Sequence, residues 1–206
     1  MEHNFYKIPS VTKERLLHLL RILEQSTQAT VTSVQIEALT GWSSYTIRKD
    51  IAYLGGEYGT SAGYNPAVLA AAIKKALGFD RHRLFCIVGL GRLGSAYLNF
   101  VTTELEEFEL AAGFDINVNR VEILQSPVPL YPVYKIAEVV KNLSIEIALL
   151  CVPTAAAQTT AEKLAAAGIR GIVNFAPVTL YLSPEIAVQN VFLLDGLRSL
   201  TIKLNR

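Results

Sequence analysis

Apolar residues change their rhythm near residue 80. Before it they recur every three or four positions; after it they come as short unbroken runs between amphipathic stretches. Leu16, Leu19, Leu20 and Leu23 make one buried stripe of a helix that Ser10 or Thr12 caps and that runs to about Gln25. After a polar break over 26–30, Ser33 is placed to cap a short helix carrying Ile36 and Leu39, and Gly41 marks a tight turn. Ser43 or Ser44 then caps a third helix to about Leu54, with Ile47, Ile51 and Leu54 facing inward. Helix, short glycine-containing turn, helix is the helix-turn-helix pattern. Gly55, Gly56, Gly59 and Gly63 rule out a continued helix, and with Tyr58 and Tyr64 they suit a tight hairpin, or wing. Asn65-Pro66 starts a further helix to about Leu77, ended by Gly78.

The second half alternates. Strand-like runs are predicted at Leu84–Gly89, Glu109–Asp115, Ile145–Pro153, Gly168–Phe175 and Val188–Leu194, with helices at Leu93–Leu105, Tyr134–Lys141 and Ala155–Ala167. Such alternation implies right-handed βαβ units and a parallel sheet covered on both faces. The fold class is therefore α/β: a winged-helix domain, then a doubly wound Rossmann domain, then a possible helix over Asp195–Asn205.

Composition narrows the partners. Charged residues are 18% of the chain and the net charge is +1, so neither long disorder nor a strong nucleic-acid charge signature is expected. Residues 1–60 carry six basic and six acidic side chains, so any DNA contact must come from local placement. Cys86 and Cys151 lie in apolar runs and read as buried thiols in a reducing compartment. His3, His18 and His82 are scattered and form no zinc pattern. No signal-peptide core and no run of ~18 apolar residues is present, so a soluble cytoplasmic protein is expected, without a membrane partner.

The chemistry centres on Cys-Ile-Val-Gly89-Leu90-Gly91-Arg92-Leu93-Gly94. Gly89 allows a tight turn, Gly91 lets the backbone approach a pyrophosphate, and Gly94 permits close helix–strand packing. The phosphates would rest on the helix N-terminus. The next strand ends in Asp115, 21 residues after Gly94, where an acid binds adenosine ribose hydroxyls and favours NAD(H) over NADP(H). Glycines kept for packing alone are the competing reading. Val152-Pro153 and Asn174-Phe175-Ala176-Pro177 end strands on the ligand side and read as walls of the site, with Asn174 a candidate donor. No histidine follows His82 and no Ser/Tyr/Lys set is found, so no catalytic residue is assigned and the chain is not read as an enzyme. On the third helix Tyr45, Arg48 and Lys49 lie opposite Ile47 and Ile51, with Ser44 sharing their exposure. They suit contacts to phosphates and base edges, against the plainer reading of a solvated helix face.

Further residues carry a resemblance. Ile8-Pro9 with Thr12 and Arg15-Leu16, then Ile47-Arg48-Lys49-Asp50-Ile51, Tyr58-Gly59 and Gly63-Tyr64 resemble the N-terminal domain of the Rex redox-sensing repressors. So do the glycine motif, Phe114-Asp115, Val152-Pro153, Ala167-Gly168-Ile169 and Asn174-Phe175-Ala176-Pro177, and the match covers about 7–204. The resemblance implies a homodimer whose C-terminal helix packs between the partner's domains, a palindromic double-stranded operator, and release of that operator by NADH. It divides the chain into a DNA-binding domain over 1–79, a dinucleotide-binding domain over 80–193 and a dimerisation helix over 194–206. It adds Tyr58 and Gly59 to the DNA contacts.

Several positions depart from the family's pattern. Arg21 matches an arginine that couples the domains, but its usual tyrosine and aspartate partners align with Phe100 and Phe192. The phenylalanine that follows that aspartate aligns with Leu193. The D-x-D-P-x-K segment reads Asp115-Ile-Asn117-Val-Asn-Arg120, and Thr60-Ser61-Ala62 fill a wing tip that usually holds an arginine. The main expectation is an NADH-sensing repressor. The alternatives are a regulator answering another nucleotide, such as CoA, or none; a nicotinamide-dependent oxidoreductase; and an interaction protein that does not bind DNA.

Overall fold

The computed structural model describes residues 8–100 and 107–205, which fall into two compact units, Met1–Arg81 and His82–Arg206. In the first unit, α1 (Ser10–Glu24), α2 (Ser33–Thr40), α3 (Ser44–Ala52), a hairpin of β1 (Gly59–Thr60) and β2 (Gly63–Tyr64), and α4 (Pro66–Leu77) follow in order. The stripe Leu16, Leu19, Leu20, Leu23 is buried with Ile36, Ile47, Ile51, Leu69 and Ile73. The cap of α2 is Thr32 rather than Ser33: its hydroxyl accepts from the Gln35 N–H, and the Gln35 side chain accepts from the Thr32 N–H, closing a capping box. Ser43 caps α3, and Asn65 caps α4 with Pro66 at its first turn. The wing hairpin is anchored by a bridge in which Val31 and Tyr64 exchange two backbone hydrogen bonds of 2.8 Å.

The second unit is a six-stranded parallel sheet. Its elements are β3 (Arg83–Val88), α5 (Arg92–Phe100), β4 (Phe108–Asp115), α6 (Val118–Ile123), β5 (Leu130–Pro132), α7 (Ile136–Leu143), β6 (Ile147–Leu150), α8 (Thr154–Ala166), β7 (Gly171–Asn174), β8 (Ala187–Asn190) and α9 (Leu193–Leu204). The sheet order β5-β4-β3-β6-β7-β8 is that of the doubly wound Rossmann fold, with its reversal between β3 and β6. Alternation along β3 splits the core: Cys86 and Val88 face the cluster that includes Ala157 and Leu164 of α8, and Phe85 and Ile87 face the cluster that includes Leu98 of α5.

Three predicted strands shorten. Ile145 belongs to the turn after α7, where its N–H reaches Val140, so β6 starts at Ile147. Gly168, at φ +106°, ends the turn after α8, and β7 begins only at Gly171. The run Val188–Leu194 is strand only as far as Asn190; Phe192 is the N-cap of α9, so Leu193 and Leu194 are helical. The helix expected over Leu93–Leu105 is α5 as far as Phe100, and its continuation lies outside the described residues. Two elements have no counterpart among the predicted ones: α6, capped by Asn117, and the three-residue edge strand β5 in a proline-rich stretch. Among the described residues no helix is long and apolar enough to cross a membrane.

Candidate functional sites

The three motif glycines are constrained for three different reasons. Gly89 turns the chain off β3 at φ +92°, and a Cβ there would meet the Cys151 carbonyl oxygen at 2.6 Å. At Gly94 a Cβ would stand 1.9 Å from the Gly89 carbonyl oxygen, so only glycine lets α5 come this close. Gly91 faces open space, with nothing within 4 Å of its Cβ position. The one glycine that internal packing leaves free is the one over which the backbone can approach a phosphate. Arg92 and Leu93 are exposed on the first turn of α5, whereas Leu90 is buried among the residues beneath it. This turn lies at the reversal of strand order, where ligands bind in doubly wound sheets.

Asp115 ends β4 beside it and is only 3% exposed. Its Oδ2 accepts from the Leu90 N–H at 2.7 Å and from Arg120 Nη1 at 3.2 Å, and its Oδ1 accepts from the Asn117 N–H at 2.8 Å. The acid therefore ties the glycine turn to the loop after β4, and Oδ1 keeps acceptor capacity for a ribose hydroxyl. The glycine turn and this acid together fit a dinucleotide: Gly89–Gly94 would take the pyrophosphate and Asp115 the adenosine ribose.

The opposite wall is less available than its sequence suggests. Asn174 is fully buried: its Nδ2 donates to the Val178 carbonyl (2.9 Å) and to Asn190 Oδ1 (3.0 Å), and its Oδ1 accepts from the Ala176 N–H (3.0 Å). Its donors are spent on shaping the loop that carries Phe175 and buried Ala176, so it acts as a positioning residue for that loop. Phe175 packs its ring 5.1 Å from that of Tyr97 on α5, a residue that belongs to no sequence motif and is brought here by the fold alone. Val152 lies against Gly89, and Pro153 precedes α8 as its N-cap. Burial pushes the Cys86 and Cys151 thiols up to about 12, so neither is a thiolate near neutral pH.

In the first unit α3 presents Tyr45, Arg48 and Lys49 to solvent and buries Ile47, Asp50 and Ile51. Asp50 accepts from Arg15 Nε (2.5 Å), Arg15 Nη2 (2.7 Å) and the Thr12 hydroxyl (3.0 Å), which pins α3 to α1. Arg48 donates from Nη1 to the Ser33 hydroxyl at 3.2 Å, which steadies its guanidinium at the surface. Ser44 is half-buried rather than exposed, and both its hydroxyl and its N–H donate to Glu37 Oε2. Those two bonds, with the Arg48 charge, hold the Glu37 carboxyl below its ordinary value. Tyr58 is half-buried against the core with its hydroxyl toward the Leu54 carbonyl, while Gly59 opens the exposed wing strand. At the tip the Thr60 hydroxyl bonds the Gly63 carbonyl and the Ala62 N–H, and no cation is present from 58 to 64. Arg21 is exposed on α1, Phe192 is half-buried, and the side chain of Phe100 lies outside the described residues.

Comparison with known proteins bears on both units. Residues 80–178 match a family described as "CoA binding domain", and 7–52 match one described as "Putative DNA-binding protein N-terminus". The redox-sensing transcriptional repressor Rex of Thermus thermophilus is 40% identical, over 95% of this chain and 93% of its own. The chain belongs to the Rex family. The Rex of Ligilactobacillus salivarius is 35% identical over 97% of this chain and 95% of its own. Among solved structures, the Rex-family repressor RSP superposes with a TM-score of 0.86 at 31% identity, covering 97% of this chain and 95% of its own. RSP in complex with β-NAD⁺ and operator DNA gives 0.85 at 30%, over 96% of this chain and 93% of that one. RSP with β-NADH gives 0.84 at 30%, over 97% and 95%. In this chain Gly89 and Gly94 are close-packed and Asp115 is hydrogen-bonded to the Leu90 N–H between them, Gly91 faces open space, and Arg48 and Lys49 stand at the surface on an anchored helix.

Proposed function

We propose that the protein is a cytoplasmic, homodimeric transcriptional repressor that binds a palindromic operator and releases it on binding NADH. The glycine turn with Asp115 receives NAD(H); the exposed face of α3, with the wing strand at Gly59, reads DNA. The observation that carries the reading is Gly91: packing closes both neighbouring glycines to a side chain and leaves this one facing open space beside a buried acid. RSP complexes with β-NAD⁺ and operator DNA, and with β-NADH, support it by kinship. On this reading 1–79 form the DNA-binding domain, 80–193 the sensor and 194–206 the dimerisation helix. The exposed leucines Leu193, Leu197, Leu200 and Leu204 of α9 favour a second copy as their cover.

The chemistry is linkage rather than turnover. NADH shifts the protein only by its differential affinity for the DNA-competent and DNA-released states. No proton-transfer residue is assigned, and Asn174 is already committed within its loop. Phe192 offers no polar atom where the family uses a carboxylate, which favours a narrower difference between NADH and NAD⁺ than a hydrogen-bonded switch would give. Fluorescence anisotropy on a palindromic duplex, titrated separately with NADH and NAD⁺, tests the whole reading. Release by NADH at concentrations where NAD⁺ leaves the complex intact is expected. Tight DNA binding that neither nucleotide disturbs would remove the sensor role and keep the regulator; NADH consumption with a substrate would replace the reading with an oxidoreductase.

A further inference from the structure

We propose that Glu37 is an operator-specificity residue: its carboxylate, fixed at the first turn of α3, accepts from the 4-amino group of a cytosine in each half-site. The inference rests on the DNA-binding reading above. Two contacts join α2 and α3 along one seam. Arg48 Nη1 donates to the Ser33 hydroxyl at 3.2 Å, and the Ser44 N–H donates to Glu37 Oε2 at 2.9 Å, with the Ser44 hydroxyl donating to the same oxygen. Ser33 and Glu37 stand one turn apart on α2, and Ser44 and Arg48 one turn apart on α3. The seam therefore sets the Glu37 carboxylate on the first residue of α3, on the same stripe as the exposed Arg48. Residues at this end of the second helix of a helix-turn-helix meet base edges in the major groove.

Glu37 is exposed, yet it is not a loose surface acid. The hydroxyl and N–H of Ser44, and then the charge of Arg48, hold its carboxyl below the ordinary value, so it is an anion at neutral pH. Both bonds fall on Oε2, and among the described residues no donor bonds Oε1. Oε1 is thus an oriented acceptor with no hydrogen to give. In the major groove such a group is met by the amino groups of cytosine and adenine and repelled by O4 of thymine and by N7 and O6 of guanine. The adenine amino group lies beside the N7 acceptor, whereas the cytosine edge offers its amino group alone, so a lone carboxylate oxygen favours cytosine.

Selection by the full-length protein from a palindromic duplex library randomised across both half-sites, followed by anisotropy titration of single-base-pair variants, tests this. The wild-type protein should prefer cytosine at one position of each half-site by about fivefold or more over every other base. Glu37→Ala should reduce that preference to less than about twofold and leave the preferences at other positions unchanged. Replacing that cytosine by pyrimidin-2-one, which lacks the 4-amino group, should weaken the wild-type protein by about fivefold or more and Glu37→Ala by less than about twofold. An equal change at every position on Glu37→Ala, as removal of a charge that repels phosphates would give, overturns the inference and keeps the DNA-binding reading. So does loss of the amino group felt equally by both proteins. Should the variant fold poorly, a wild-type protein indifferent to pyrimidin-2-one at every selected cytosine still overturns it. Binding of no duplex in the library would overturn this inference together with the DNA-binding reading.

Discussion

Alanine at each of the three motif glycines should fail in its own way. At Gly94 the new Cβ would lie 1.9 Å from the Gly89 carbonyl oxygen, a backbone atom that no rotamer moves. The N-terminal turn of α5 must back away from β3, loosening Leu90 and Leu98 against Phe85 and Ile87. Overpacking alone costs about 1–3 kcal/mol, and the loss of contact beneath the helix takes the expected total to about 3 kcal/mol or more. At Gly89 a 2.6 Å contact with the Cys151 carbonyl oxygen adds to strained backbone at φ +92°. The left-handed conformation costs about 1–2 kcal/mol by itself, so Gly89→Ala should lose a comparable amount of stability. Gly91→Ala meets nothing within 4 Å and should shift stability by less than about 0.5 kcal/mol. Its methyl group would occupy the approach to the phosphates, so NADH affinity should fall at least about tenfold, or about 1.4 kcal/mol. Urea denaturation at constant m-value measures the first two, and calorimetric titration with NADH measures the third. A Gly91→Ala protein that unfolds as readily as Gly94→Ala, or that binds NADH like the parent, would refute the reasoning.

Other expectations follow from the same geometry. Arg48→Ala should weaken operator binding by about 1–3 kcal/mol if the guanidinium reads a base edge, with thermal stability nearly unchanged; equal affinity for the operator would count against α3 as the reading helix. Asp50→Asn weakens the charge-assisted pair with Arg15 and should cost about 2 kcal/mol of stability, since charged hydrogen bonds contribute about 1.5–3 kcal/mol each and Arg15 is partly solvated. Operator affinity should fall with it, while NADH affinity stays level. Stability should decline as pH rises from about 8.5 toward 12: the unfolded chain ionises Cys86 near 8.5, whereas the buried native thiol holds its proton up to about 12. Cys151 is shifted in the same direction, so Cys86→Ser should reduce that decline in pH-resolved denaturation curves and leave the share of Cys151. Leu197→Asp with Leu200→Asp should turn a dimer into a monomer by analytical ultracentrifugation; an unchanged mass would move the interface away from α9.

Periodicity alone carried the element types. The three- and four-residue spacing of Leu16, Leu19, Leu20 and Leu23 and the apolar runs around Val88 and Leu150 encode burial on one helix face or on both sheet faces, and the core is built from them. The order of G-x-G-x-x-G, Asp115 and N-F-A-P was likewise legible, because those residues answer to local turns. The short pieces α6 and β5 were not, since six helical residues and a three-residue edge strand are too brief to show a period and owe their form to their neighbours. What each site residue does was decided by residues far along the chain. Leu90 meets Asp115 only because a parallel crossover lays β4 beside β3, and Asp50 meets Arg15 only because α3 packs on α1. The amino-acid order named Asp115, Asn174 and Ser44 as groups with hydrogen-bonding capacity. Folding determined how much of that capacity was left over: Leu90, Asn117 and Arg120 take up most of the first, Val178 and Asn190 take up the donors of the second, and Glu37 takes the third. A donor or acceptor offers a ligand only what its own fold has not already satisfied, and that remainder is a property of three-dimensional neighbours.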